Sequence, residues 1–173
     1  MDKAIQNSII RFFLLWALQS FFLKQVYWGW GGEAYLQIHL YPLFILLLPL
    51  STPRSVTLGT AFILGLLIDW WYESPGMHAG ALVFTAYMRA AVLRILTPRE
   101  GYNIKANPTK SSLGASWFIQ YAAALMVLHL LFYYSLEAFT FVYFQTILIK
   151  LAVSWLASML VLLIVVYIFN PEA

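Results

Sequence analysis

Hydrophobic residues fill this chain in long blocks separated by short polar breaks. The blocks predict helices at 9–23, 35–50, 56–72, 79–96, 113–134 and 143–169, because roughly 17–25 mainly apolar residues cross a bilayer as a helix. The first two are short and draw on flanking residues, whereas the last is long enough to tilt. Breaks fall at Gly29–Gly32, Ser51-Thr52-Pro53-Arg54, Ser74-Pro75-Gly76, Thr97–Ser112 and Glu137–Thr140, most of them carrying the proline and glycine that interrupt regular structure. The pattern predicts an all-α polytopic membrane protein: a six-helix bundle forming a single integral membrane domain over residues 1–173, with no internal repeat.

Composition agrees with that reading. Of 173 residues, 62% are hydrophobic and 10% charged, with a mean hydropathy of +0.79. A soluble domain is closer to half apolar and a quarter charged, so lipid has to cover most of this surface. The net charge of +3 is small and dispersed, which argues against nucleic acid as a partner. Cysteine is absent, excluding disulfides and thiolate chemistry. The first apolar block lacks a small-x-small cleavage signal and is read as a retained helix.

The cations give the expected orientation. Six crossings place both termini on one side. With the termini in the cytoplasm, Lys3, Arg11, Arg54, Arg94, Arg99, Lys105 and Lys110 lie inside, Lys24 and Lys150 lie outside, and Arg89 falls between. Basic residues concentrate on the cytoplasmic side of membrane proteins. The outer boundary gathers Tyr27, Trp28, Trp30, Trp70, Trp71, Tyr72, Tyr133, Tyr134, Tyr143 and Phe144, which suit an interfacial anchoring belt. The basic 97–112 loop is expected to touch anionic lipid headgroups.

Polar residues inside the blocks carry the candidate chemistry. Thr57, Ala61, Gly65 and Asp69 repeat every four residues, a small-residue stripe that lets another helix approach closely. Packing within the chain is the bland reading of that stripe, and docking of another protein's helix the sharper one. A carboxylate at membrane depth is costly and generally has a partner. His78, Thr85 and Arg89 share roughly one face of the fourth block. Asp69 lies about 10 Å further from the inner boundary than Arg89 at 1.5 Å per residue, but on antiparallel helices the two side chains lean towards each other. A buried Asp69–Arg89 pair, direct or bridged, is therefore expected. The rival reading sends Asp69 to the outer interface and Arg89 to a hydrated cavity.

Lys150 can reach the surface along its own stem, and Gln19 and Gln120 are expected to be satisfied between helices. His39, His78 and His129 sit on three blocks without ligand spacing, so no metal site is expected. No H-E-x-x-H, Gly-x-Ser-x-Gly or Walker loop occurs, nor any pair of acidic motifs for magnesium. Neither enzymatic activity nor a cofactor is expected.

Four pieces occur in order: Tyr41-Pro42-Leu43-Phe44-Ile45-Leu46-Leu47-Leu48-Pro49, Thr52-Pro53-Arg54, Gly65-Leu66-Leu67-Ile68-Asp69 and Gly76-Met77-His78-Ala79. Their succession resembles the bacterial rod shape-determining MreD family, over the whole chain in length and span count but specifically from Tyr41 to about Arg89. Asp69, Gly65, Gly76 and His78 match the family pattern; the Arg89 pairing is read from the residues alone. The resemblance implies a non-enzymatic subunit of the cell-elongation complex in the cytoplasmic membrane. Its implied partners are MreC, the MreB filament, the glycan polymerase RodA and a penicillin-binding transpeptidase. It also implies a fold similar to the six-helix substrate-binding subunits of energy-coupling-factor vitamin transporters. A vitamin-type binding subunit is accordingly the competing function, with Asp69, Glu73, His78, Trp28, Trp30, Trp70 and Trp71 as its pocket.

Overall fold

The computed structural model describes residues 3–30, 33–99, 101–102, 107–140 and 142–169. Gly31, Gly32 and Lys105 of the sequence reading lie outside the described residues, as do the side chains of Lys3 and Trp30. The chain forms α1 (Lys3–Ala17), β1 (Tyr27–Trp30), β2 (Glu33–Gln37), α2 (Leu43–Leu46), α3 (Arg54–Tyr72), α4 (Met77–Ile95), α5 (Lys110–Leu113), α6 (Ala115–Ala138) and α7 (Phe144–Phe169). Among the described residues, α3, α6 and α7 are long and apolar enough to cross a membrane. The protein is thus a mostly helical membrane protein.

Helix ends follow local chemistry. Glu73 and Phe139 take left-handed conformations that stop α3 and α6, and Gly76, at φ +81°, sets the reversal before α4. Thr109 caps the short α5 by accepting from Ser112 N. After α1 the backbone widens into a π turn over Leu18–Phe22 and then tightens into a 3-10 turn over Leu23–Gln25. Such a widened turn inserts a residue and re-aims the side chains around it; here it carries the buried Gln19 and Ser20.

The expected helix over 35–50 is corrected. This segment starts as β2, continues extended through Ile38–Leu40, forms only the four-residue α2 and ends in turns before Pro53. β2 pairs antiparallel with β1, Tyr27 opposite Gln37 and Trp28 opposite Leu36, with a bulge between Trp28 and Gly29. The extended stretch then enters the bundle, where Leu40, Tyr41, Leu43, Ile45 and Leu46 are buried. The physical reason is that its backbone is satisfied by side chains of α7 and the π turn rather than by its own i to i−4 bonds.

α3 packs along α4, α4 along α6, and α6 along α7, while β2 lies on α7. Asn7 of α1 and Phe169 of α7 line one pocket, so both terminal helices meet at the end of the bundle where α3 begins. Arg54 marks this end and Glu73 the other. Lys110 lies 4.1 Å from the Tyr167 ring and Arg54 4.5 Å from the Tyr87 ring. In the loop after α4, Tyr102 donates to Leu93 O at 2.8 Å, and burial pushes its phenol pKa up.

Candidate functional site

Asp69 sits one turn before the end of α3 and does two jobs at the turn into α4. Its backbone carbonyl accepts from Ser74 N at 3.1 Å and from the amide of Glu73, closing α3. Its carboxylate closes the start of α4: Oδ1 accepts from His78 N at 2.9 Å and Oδ2 from Ala79 N at 2.9 Å. Those amides have no partner within their own helix, and a negative charge is favoured at that terminus. Ser74 Oγ donates to Oδ1 at 2.7 Å, and His78 Nδ1 lies 3.0 Å from the same oxygen. The carboxylate accepts only, which assigns the Nδ1 proton to His78.

The stripe on α3 explains how that turn can be so tight. Thr57, Ala61 and Asp69 are buried. A Cβ added at Gly65 would stand 2.3 Å from Ala79 Cα and 2.7 Å from Ala79 N. Only glycine lets α4 come this close. The stripe serves packing within the chain: Gly65 and Asp69 meet the chain's own fourth helix at Ala79, and Thr57 and Ala61 are buried in the bundle.

The expected Asp69–Arg89 pair is also corrected. Arg89, 5% exposed, points to the far side of the bundle core, where it donates through Nη2 to Leu48 O and, at 3.5 Å, to Pro49 O. Its Nε donates to Tyr121 Oη at 3.0 Å, and that hydroxyl donates to Leu46 O at 3.3 Å. The guanidinium ties down the turn that follows α2, a buried cation satisfied by backbone carbonyls and a tyrosine hydroxyl. Backbone groups replace the direct ion pair at both charges: the first amides of α4 hold Asp69 and the carbonyls of the turn after α2 hold Arg89. The rival placement of Asp69 at the outer interface fails as well, since Asp69 is 5% exposed.

Between these two charges the extended segment is tied down by residues the sequence reading treated as background. Ser154 and Ser158 stand four apart on α7, a rise of about 6 Å. Gln37 and His39 stand two apart on an extended backbone, a rise of about 6.6 Å. The two spacings nearly match, and Ser154 Oγ accepts from Gln37 N at 3.0 Å while Ser158 Oγ accepts from His39 N at 2.9 Å. Ser154 also donates to Tyr35 O at 3.3 Å, leaving its second lone pair for the Tyr134 hydroxyl at 2.6 Å. From the opposite side Gln19 accepts from Leu40 N at 2.9 Å and donates to Ile38 O at 2.9 Å and Tyr72 Oη at 2.8 Å. Non-helical backbone is tolerated at membrane depth only where protein satisfies it, and these three side chains do so. Gln120, in contrast, is exposed and reaches Ser116 of its own helix at 3.3 Å.

All three histidines converge here, which their sequence positions do not suggest. His39 lies 6.1 Å from His78 and 5.8 Å from His129 between ring centroids, with Tyr133 4.6 Å from His39 and 4.9 Å from His78. Thr85 Oγ1 donates to Ala81 O at 2.7 Å, so it accepts from His129 Nδ1 at 2.8 Å. His129 Nε2 then accepts from the Tyr41 hydroxyl at 2.8 Å. His39 Nδ1, His78 Nε2 and Ser20 Oγ are buried with no hydrogen-bond partner among the described residues. No group of three or more His, Asp or Glu among the described residues is placed to hold a metal ion.

The proposed vitamin pocket does not assemble. Asp69 and His78 are buried, whereas Trp28 is 56% and Trp70 85% exposed. Trp71 packs on Phe21 at 4.6 Å, and Lys24 donates to Trp71 O at 2.7 Å. Lys150 lies 3.4 Å from Glu137, bordering a cavity of about 480 Å³ at the Glu73 end that Ala34, Tyr134, Tyr143 and Thr146 also line. Comparison with protein-family models, with curated proteins and with solved structures gives no match for this chain.

Proposed function

We propose that this chain is a non-enzymatic scaffold subunit of the bacterial cell-elongation complex, as its resemblance to the MreD family implies. In this reading it crosses the cytoplasmic membrane six times, five times as helix and once through the extended segment and α2. Arg54, Arg94 and Lys110 mark the cytoplasmic end, with both termini there. Its partners are MreC, RodA, a penicillin-binding transpeptidase and, directly or through them, MreB.

One observation supports the reading above the others. Gly65, Asp69, Gly76, His78 and Ala79, the residues on which the resemblance most depends, form a single tied hairpin between α3 and α4. The motif builds a rigid support and leaves no space there for a substrate. The partner helix has the outward faces, such as Leu156, Leu160 and Ile164 on α7, 63%, 60% and 48% exposed.

The test is photocrosslinking from Leu156 and Leu160 in native membranes with MreC, RodA and the transpeptidase present. Crosslinks to the MreC helix are expected. Absence of every elongation protein from the crosslinked and co-purified material would contradict the proposal. A second reading, a small-molecule-binding transporter subunit, is favoured by the 480 Å³ cavity beside Lys150 and Glu137, a size typical of ligand sites. A metabolite retained in native mass spectra would select it.

A further inference from the structure

We infer that the slot between α1 and α7 is a binding site for one anionic phospholipid of the leaflet at the Arg54 end. This goes beyond the scaffold reading and does not depend on it. The slot has a volume of about 310 Å³ and is lined by Asn7, Arg11 and Leu14 of α1 and Leu18 of the π turn, with Leu47 and Phe169 opposite. Asn7, Arg11 and Leu14 fall at i, i+4 and i+7 of α1, one helical face, and Leu18 follows in the π turn. Asn7 to Leu18 spans about 16 Å, close to half of a hydrocarbon core about 30 Å thick.

That length decides between occupants. A partner's transmembrane helix needs a groove over the whole thickness of the bilayer, whereas an acyl chain occupies one leaflet. The chemistry along the slot has the same polarity as a lipid. Its deep part is leucine, and its polar members, Asn7 and Arg11, stand one turn apart at the end where α7 finishes. A helical side chain leans towards its own N-terminus, so Arg11 leans towards the headgroups of that leaflet. Guanidinium groups match phosphate oxygens in a planar, two-bond fork.

The experiment uses the full chain in nanodiscs of equal parts phosphatidylglycerol and phosphatidylcholine, released into the native mass spectrometer. The protein is expected to retain one phosphatidylglycerol in preference to phosphatidylcholine. Arg11→Gln is expected to lower that preference about tenfold, and Leu14→Trp, filling the slot from an exposed position, to remove lipid of either headgroup. Unchanged retention in both variants overturns the proposal. Loss in Arg11→Gln with none in Leu14→Trp also overturns it, because a headgroup contact without a seated chain remains. So does a crosslinker at Leu14 that captures a polypeptide rather than lipid.

Discussion

Asp69 closes the first turn of α4, and Arg89 ties down the turn that follows α2. Asp69 Oδ2 holds Ala79 N at 2.9 Å, and the Arg89 guanidinium spans Leu48 O, Pro49 O and the Tyr121 hydroxyl. Two buried charges of opposite sign are thus each matched to backbone groups, amides for the carboxylate and carbonyls for the guanidinium, rather than to one another. The sequence invites an ion pair because the two side chains lean together along antiparallel helices. What it does not display is the turn after α2, whose carbonyls at Leu48 and Pro49 take the guanidinium.

The Arg89 arrangement predicts coupling with Tyr121. Tyr121→Phe and Arg89→Lys should each lower unfolding stability by about 1–2 kcal/mol, the scale of a lost buried hydrogen bond. The double variant should lose less than the sum, since Arg89 Nε and the Tyr121 hydroxyl bond to each other. Thermal unfolding in a constant nanodisc reads the cycle. Strict additivity would place the two residues in separate networks.

Glycine replacements separate a packed position from an open one. Gly65→Ala forces a methyl into the backbone of Ala79 and should cost about 1–3 kcal/mol, the usual range for overpacking. Gly59→Ala meets nothing within 4 Å and should be neutral or stabilising by up to about 1 kcal/mol through helix propensity. Gly76→Ala fills empty space but strains a backbone at φ +81°, at a cost of about 1–2 kcal/mol. The order Gly65, Gly76, Gly59 in melting temperature, lowest first, is the readout.

The serine ladder predicts local rather than global change. Ser158→Ala removes the acceptor for His39 N, and Ser154→Ala the acceptor for Gln37 N. Each should lower stability by about 1–2 kcal/mol and speed amide exchange at the matching position. His39 should respond to Ser158→Ala and Gln37 to Ser154→Ala, with little crossover. Equal exchange at both positions in both variants would mean that the extended segment opens as one unit.

Much of the helical framework was legible before any coordinates. The blocks at 56–72, 79–96 and 143–169 end within two residues of α3, α4 and α7, because Pro53, Ser74-Pro75-Gly76 and the polar break at Glu137–Thr140 interrupt them. The 35–50 block was misread because a buried apolar run looks the same as helix or as extended chain. A signal was present: Gln37 and His39 alternate with Leu36, Ile38 and Leu40, the period of a strand. Ser154 and Ser158, whose hydroxyls make that strand possible, lie more than a hundred residues away. Their significance appears only once β2 lies on α7. The histidine cluster was hidden for the same reason, as it is assembled by three elements and by no motif.

Amide exchange at His78 and Ala79 in Asp69→Ala and Asp69→Asn, measured beside partner recovery, tests most directly that this buried carboxylate ties the chain to itself. Asp69→Ala should expose both amides to exchange and lower stability by about 2–4 kcal/mol, the cost of stranding buried donors. Asp69→Asn, which keeps one acceptor oxygen, should fall between it and the native protein. Recovery of the elongation proteins proposed as partners should decline only in proportion to the folded fraction. Full protection of both amides in Asp69→Ala, together with loss of a partner, would contradict the account by placing the carboxylate at an interface.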